Sequence, residues 1–183
     1  MEAARVLAAR GFDVTLFEKE GFLGGALNIA DKPKFKDCID TLTRTMETQI
    51  RKLGVKELFS VLRLHLKRLK TNLLLFCACG AKPVVPNIEG VDGKNVAVAD
   101  DIITGKVKAG KKAAIIGTGL TALEAAETML EQGVEVTIIG RSEKVGRGVF
   151  PVILNDVLSR VNSYKPEYMF NQNTNKIMES GVL

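Results

Sequence analysis

Gly117, Gly119 and Ala122 stand in the order Gly-x-Gly-x-x-Ala within Lys112-Ala-Ala-Ile-Ile-Gly117-Thr118-Gly119-Leu120-Thr121-Ala122-Leu123-Glu124. Each small residue has its own physical use. Gly117 lets an apolar strand end in a tight bend, Gly119 lets backbone approach a ligand with no Cβ in the way, and Ala122 lets the next helix pack close on the strand. The free N–H groups of a helix opening near Leu120, with those of Thr118 and Thr121 beside them, suit a pyrophosphate. The chemistry is therefore the grip of a dinucleotide. An ordinary crossover whose glycines serve only packing is the plainer alternative. Against it, a helix predicted over Thr121 to Gln132 is stopped by Gly133 and followed by Val134-Glu-Val-Thr-Ile-Ile139, a second strand.

The residue after that second strand sorts nicotinamide cofactors, because an acid there bonds the ribose 2′-hydroxyl. Here the chain reads Gly140-Arg141-Ser142, with Arg147 further on. A guanidinium suits a 2′-phosphate, which favours NADPH over NADH. Glu143 is the alternative, a carboxylate within reach of a ribose, and a solvated loop cation is the plainer role for Arg141.

A second, shorter unit opens the chain. Met1 to Arg10 is predicted to be a helix with Ala3, Val6 and Leu7 on one face; Gly11 stops it, and Asp13-Val-Thr-Leu-Phe17 is a strand ending at Glu18-Lys19. This is the same strand–helix–strand unit without its first strand and glycine turn, so the natural protein is expected to continue upstream of Met1. Glu18 falls where the ribose-binding acid belongs, and Gly24-Gly25 suits a loop that passes close to a cofactor. A surface carboxylate at a strand end is the plainer reading of Glu18.

Taken together, these motifs resemble the flavin and pyridine-nucleotide half of the NADH:flavin oxidoreductases related to 2,4-dienoyl-CoA reductase, 2-enoate reductase and trimethylamine dehydrogenase. That group carries Glu-Lys with Leu-Gly-Gly after its first unit, an Ala-Thr-Gly-Ala-x-Pro crossing, and Gly-x-Gly-x-x-Gly/Ala-x-Glu at the second. In this chain they stand as Glu18-Lys19 with Gly24-Gly25, as Ala78-Cys79-Gly80-Ala81-Lys82-Pro83, and as Gly117, Gly119, Ala122 and Glu124. Cys79 in place of the threonine is a departure. The match runs over most of Met1 to Leu158.

The resemblance implies an α/β fold of two Rossmann-like three-layer domains of the pyridine nucleotide-disulfide oxidoreductase type, both incomplete. The first would hold FAD, with Glu18 on the adenosine ribose and Cys79-Gly80-Ala81 in the crossing. The second would hold NADPH or NADH, with the amides after Gly117 on its pyrophosphate and Glu124 towards the flavin. Hydride would pass from nicotinamide to FAD. Because the cofactors do the electron chemistry, no side chain here is assigned a catalytic role. Relatives pass electrons through a four-iron four-sulfur cluster to FMN in a barrel that reduces an activated double bond. Those parts are expected only in the missing part of the full protein. Two other readings stand beside this one: a non-enzymatic adenine-nucleotide-binding or electron-transfer subunit, and a flavin disulfide reductase or NADH oxidase relative, for which a CxxxxC pair would speak and none is found.

Composition bounds these readings. The 183 residues are 46% hydrophobic and 26% charged, enough for one full domain or two short ones. With no run of about 18 uncharged apolar residues and no signal-peptide pattern, the expectation is a cytoplasmic protein without a membrane partner. No aromatic platform or groove-reading motif points to nucleic acid; the expected partners are nicotinamide and flavin nucleotides, and the full-length protein is free to form an oligomer. Cys38, Cys77 and Cys79 form no CxxC, and the one histidine, His65, builds no metal site with them. Cys77 and Cys79 are assigned to a strand with their side chains on opposite faces, a packing role in preference to a redox one.

One segment fits nothing around it. From Leu58 to Phe76 the chain is basic and leucine-rich with no acid. Read directly it is a basic amphipathic element suited to a membrane surface or an acidic partner. Relatives carry Thr-Glu-Val-Thr-Pro-Glu here, after a Gly-Val-Lys such as Gly54-Val55-Lys56. The codons ACT GAG GTT ACA CCT GAA, read one base late, spell Leu-Arg-Leu-His-Leu-Lys, which is Leu62 to Lys67. A local frameshift repaired near Cys77 is the preferred explanation, and part of the net charge of +5 then has no functional meaning.

The elements that position these residues follow. Pro33 to Leu53 is predicted as a helix with Phe35, Ile39, Leu42, Met46 and Ile50 in the core. Gly90 to Gly110 is the connection, with Asp100-Asp101 capping a helix before Ile102. Asn155 to Val161 continues as a helix, and Tyr164 to Leu183 turns polar with no closing strand. The domains are drawn as 1–104, a partial FAD-binding domain in which 57–76 is aberrant, and 105–183, a C-terminally truncated NAD(P)H-binding domain.

Overall fold

A computed structural model of the chain describes residues 1–61 and 74–183. They form two compact units, Met1–Lys82 and Pro83–Leu183.

In the first unit, α1 (Glu2–Ala9) leads to β1 (Thr15–Phe17), then α2 (Leu27–Ala30), α3 (Asp37–Lys52) and β2 (Lys56–Leu58). Gly11 ends α1 at φ +85°, a left-handed position that favours glycine. β1 and β2 run parallel with Leu16 opposite Glu57, so the chain between them must cross over, and α3 makes the crossing. Ala4, Leu23, Ile50 and Val55 form a small core. Two expectations are corrected here. The buried residue of α1 is Ala4, while Ala3 is exposed. Helix α3 starts at Asp37 because Phe35 sits at φ +62° outside it; Phe35 and Leu42 are exposed, and the inward line is Ile39, Thr43, Met46 and Ile50. Thr43 tolerates burial because its hydroxyl donates to the Ile39 carbonyl at 3.0 Å. Residues 62–73, with His65 and most of the basic leucine-rich segment, lie outside the described residues.

The second unit runs α4 (Ala99–Ile103), β3 (Lys112–Ile116), α5 (Leu120–Glu131), β4 (Glu135–Ile139), α6 (Pro151–Ser163), β5 (Glu167–Met169), β6 (Ile177–Met178) and β7 (Gly181–Val182). Strands β3, β4 and β5 form a parallel sheet in that order, with Ile115 opposite Ile138 and Ile138 opposite Tyr168. The core joins Leu123, Ala126, Met129 and Leu130 of α5 to Val136 and Ile138 of β4 and to Val157 and Val161 of α6. Leu123, Ile138 and Val161 are fully buried, and each contributes about 1.5–3 kcal/mol relative to exposure. The Rossmann-like α/β class expected from the sequence is the one found.

Three details of this unit differ from expectation. A third parallel strand, β5, follows α6, and β6 pairs antiparallel with β7, where a polar tail without a strand was expected. Helix α6 begins at Pro151, a residue whose fixed φ suits a first turn, not at Asn155. Asp100 and Asp101 lie in the first turn of α4, whose N-cap is Val98; their charge, not a side-chain cap, is what favours the helix start.

Candidate nucleotide-binding site

The turn between β3 and α5 has the geometry its glycines predict. Gly117 continues the ladder by donating its N–H to the Ile139 carbonyl at 2.9 Å, then turns at φ +127°. Gly119 caps α5 at φ −75° and ψ 176°, ordinary for any residue, so its need for glycine comes from outside the backbone. A Cβ built on Gly117 or Gly119 meets nothing within 4 Å. The space in front of the turn is thus open to an incoming group. Leu123 N–H bonds the Gly119 carbonyl at 3.1 Å, whereas the N–H groups of Leu120, Thr121 and Ala122 find no backbone acceptor among the described residues. Three donors at the positive end of a twelve-residue helix face that opening.

The loop after β4 is tied to this turn by Thr118. Its carbonyl accepts from Gly146 N–H at 2.7 Å, and its hydroxyl donates to the Lys144 carbonyl at 3.3 Å. Gly140 lies beneath: a Cβ there would stand 2.6 Å from Thr118 Cγ2. Arg141 and Arg147 are exposed on the tethered loop and enter no ion pair among the described residues. Glu143 is turned to other work, for its Oε1 accepts from Asn171 Nδ2 at 3.0 Å. The structure therefore sets Gly117, Thr118, Gly119, Leu120, Thr121 and Ala122 about one opening, with Arg141 and Arg147 exposed on the loop tied to Thr118.

Glu124 is buried on α5 and 7% exposed. Its neighbour along the helix, Glu127, reveals a pairing that sequence reasoning missed. Glu127 Oε1 accepts from Arg160 Nε at 2.5 Å and Oε2 from Nη2 at 3.3 Å, while Arg160 Nη1 also bonds Asp156. The hydrogen bond to Glu127 is the first cause of the raised pKa of Arg160, ahead of burial, which opposes it. This pair locks α5, which presents the free amides, onto α6.

In the first unit, Glu18 extends the β1–β2 ladder: its N–H donates to the Leu58 carbonyl and its carbonyl accepts from Val61 N–H, both at 2.9 Å. Its carboxylate Oε1 accepts from Glu20 N–H at 3.0 Å, which fixes the side chain at the strand end. Lys19 is exposed and 3.8 Å from Glu20. Gly24, at φ +108°, is required by its neighbour, since a Cβ would stand 2.6 Å from the Asn28 amide, and that amide donates to the Leu23 carbonyl at 2.8 Å. Gly25 instead faces open space.

Cys79, Gly80 and Ala81 are exposed in an irregular segment, with Gly80 at φ +69°. Here the assignment of Cys77 and Cys79 to opposite faces is corrected. Residues two apart in an extended chain share a side, and the two sulfurs are 3.7 Å apart, both exposed. The hydrogen bond with Cys77 is the main cause of a raised pKa at Cys79. Among the described residues no group of three or more His, Cys, Asp or Glu side chains could hold a metal ion, and no helix is long and apolar enough to cross a membrane.

The family model described as pyridine nucleotide-disulphide oxidoreductase matches residues 1–162. Cinnamate reductase of Clostridium sporogenes is 39% identical over 145 residues, covering 76% of this chain and 21% of that protein. Bilirubin reductase of Mediterraneibacter gnavus is 32% identical over 154 residues, covering 80% and 23%. The chain thus spans between a fifth and a quarter of the length of these curated relatives. Among solved structures, a 2-naphthoyl-CoA reductase in complex with 2-naphthoyl-CoA superposes over 99% of this chain and 28% of its own, at 31% identity and a TM-score of 0.84. Histamine dehydrogenase from Rhizobium sp. 4-9 shares the fold, at 20% identity and a TM-score of 0.72 over 97% of this chain and 30% of its own.

Proposed function

This chain belongs to the pyridine nucleotide-disulphide oxidoreductase family, whose domain binds FAD and NAD(P)H, and on that premise we propose that its second unit holds the nicotinamide nucleotide and its first the flavin. The single observation that carries the assignment is the glycine turn at the start of α5, with three unbonded amides facing space that a Cβ would otherwise fill.

The residues fit the group. The amides of Leu120, Thr121 and Ala122 hold a pyrophosphate by charge-assisted hydrogen bonds, with Gly117 and Gly119 admitting its oxygens to the backbone. Thr118 fixes the loop that carries Arg141 and Arg147, so that two guanidinium groups stand ready for a 2′-phosphate. Glu143, engaged by Asn171, leaves the ribose position to them, which supports NADPH over NADH. In the first unit, Glu18 takes the ribose of FAD, Lys19, Gly24 and Gly25 form the loop beside it, and Cys79, Gly80 and Ala81 pass the cofactor as backbone. Glu124 faces the flavin side of the site. When both nucleotides are bound, they supply a hydride donor and its acceptor. The chain's own part is to bind, to align and to exclude water, which needs no general acid or base from it.

We draw the flavin part over 1–104, so that residues 83–104 of the second compact unit go with the flavin, and the nicotinamide part over 105–183. In the full-length protein the reducing equivalents go on to an enoate- or enoyl-type substrate. Likeness to cinnamate reductase and to 2-naphthoyl-CoA reductase supports this class. The local frameshift remains our explanation of residues 62–67, and the coding DNA tests it: frame-keeping reads on both sides would remove it. The functional experiment is anaerobic titration of the full-length, flavin-loaded protein with NADPH. Bleaching of the flavin band supports an oxidoreductase, and nucleotide binding without bleaching would reduce the chain to a binder.

A further inference from the structure

In the crossing segment, where only the backbone of Cys79 is assigned to the flavin, one pair of thiols is built for chemistry that the proposed hydride path does not use. Cys77 Sγ and Cys79 Sγ lie 3.7 Å apart, and both thiols are exposed. A disulfide needs about 2.05 Å between sulfurs and Cα atoms no more than about 6.8 Å apart, a span two residues of extended chain can meet. The described stretch from Leu74 to Lys82 has neither helix nor strand, so no ladder opposes the small backbone shift that closure requires. Cys38 offers the contrast within the same chain: it is exposed in the first turn of α3 and has no second sulfur beside it among the described residues.

We propose that Cys77 and Cys79 form a reversible thiol–disulfide couple, oxidised by small disulfides of the glutathione class. The Cys77 thiolate attacks one sulfur of the small disulfide; a new S–S bond forms to Cys77 and one small thiolate leaves. Cys79 then gives up its proton and attacks the Cys77 sulfur, the Cys77–Cys79 bond forms, and the second small thiolate leaves. In sum the two protein thiols lose two electrons and two protons, and the small disulfide takes them as two thiols. Cys79 is suited to the second role, since its sulfur lies against that of Cys77 and the hydrogen bond between them raises its pKa. The couple sits in the crossing segment beside Gly80, so its state alters the stiffness of that segment.

The test uses the whole chain, reduced and then equilibrated with graded oxidised glutathione, quenched by alkylation and read by peptide mass spectrometry. The expected result is a peptide lacking two hydrogens and joining Cys77 to Cys79, half-formed at a glutathione disulfide level at least roughly tenfold below that which modifies Cys38. With Cys79→Ser, Cys77 should instead retain glutathione as a stable mixed disulfide. Separate glutathione adducts on Cys77 and Cys79 in the unsubstituted chain, at the level that modifies Cys38, would overturn the proposal. So would loss of two hydrogens that persists in Cys79→Ser, because the bond would then involve another partner.

Discussion

Gly146 N–H donates to the Thr118 carbonyl at 2.7 Å, and this one bond joins the loop after β4 to the glycine turn after β3. The two halves of the site are thereby held as one surface. On the proposed reading, phosphate donors come from one end of α5, and the cations come from the loop that Thr118 anchors.

Removing the guanidinium groups separates charge from fold. Arg141→Ala and Arg147→Ala leave α5 and the sheet untouched, because both side chains are exposed. Each should weaken NADPH binding by roughly ten- to a hundredfold, the worth of one charge-assisted hydrogen bond of about 1.5–3 kcal/mol, while NADH binding stays unchanged. Calorimetric titration with each cofactor is the check; equal losses for both would remove the 2′-phosphate role.

The two glycines of the turn should fail differently. Gly119→Val has ordinary backbone angles and an empty space for its side chain, so the thermal midpoint holds while nucleotide binding is lost. Gly117→Val meets the same open space but at φ +127°, and strain of about 1–3 kcal/mol should lower the midpoint as well. A melt of each variant beside a binding isotherm distinguishes them.

Glu127→Ala removes the buried carboxylate that holds Arg160 Nε and Nη2 and should destabilise the second unit by about 2–4 kcal/mol, since a mostly buried ion pair is broken from one side. Denaturant unfolding measures this. Glu127→Leu together with Arg160→Met should recover much of the loss, as apolar replacements of buried ion pairs do.

Tyr168 ties the middle of β5 to α6 by donating its hydroxyl to Asn162 Oδ1 at 2.7 Å, and burial raises its pKa above 10.0. The unfolded chain then releases this proton first as pH rises. The stability from Tyr168 is full below pH 10, the unfolded-state value, and falls as pH climbs through the folded one. Unfolding midpoints between pH 9 and 11 should drop more steeply in the unsubstituted chain than in Tyr168→Phe.

Much of the second unit was legible because its signals are local. An apolar run, a glycine turn and a Gly133 stop mark β3, α5 and β4, and the observed bounds fall within a residue or so of those read from the sequence. Strand β5 was not legible: Glu167-Tyr168-Met169 is three residues long with a charged end, and only pairing with β4 makes it a strand. Burial of Thr43 in place of Leu42 depends on how α3 meets its neighbours, which periodicity does not specify. The Glu127–Arg160 pair joins residues 33 positions apart, and no local pattern announces it. At the site, the residue types of the turn pointed to a nucleotide grip, whereas the tether through Thr118 and the engagement of Glu143 by Asn171 exist only in the folded chain.

The amides opening α5 are proposed to receive a nicotinamide nucleotide. Titrating NADPH into the isotopically labelled chain, and following its backbone amide resonances, tests it most directly. The largest shifts are expected at Thr118 to Ala122 and at Arg141 to Arg147, with smaller shifts at the second group when NADH is used. Shifts centred on any other part of the chain, or none at saturating NADPH, would contradict it.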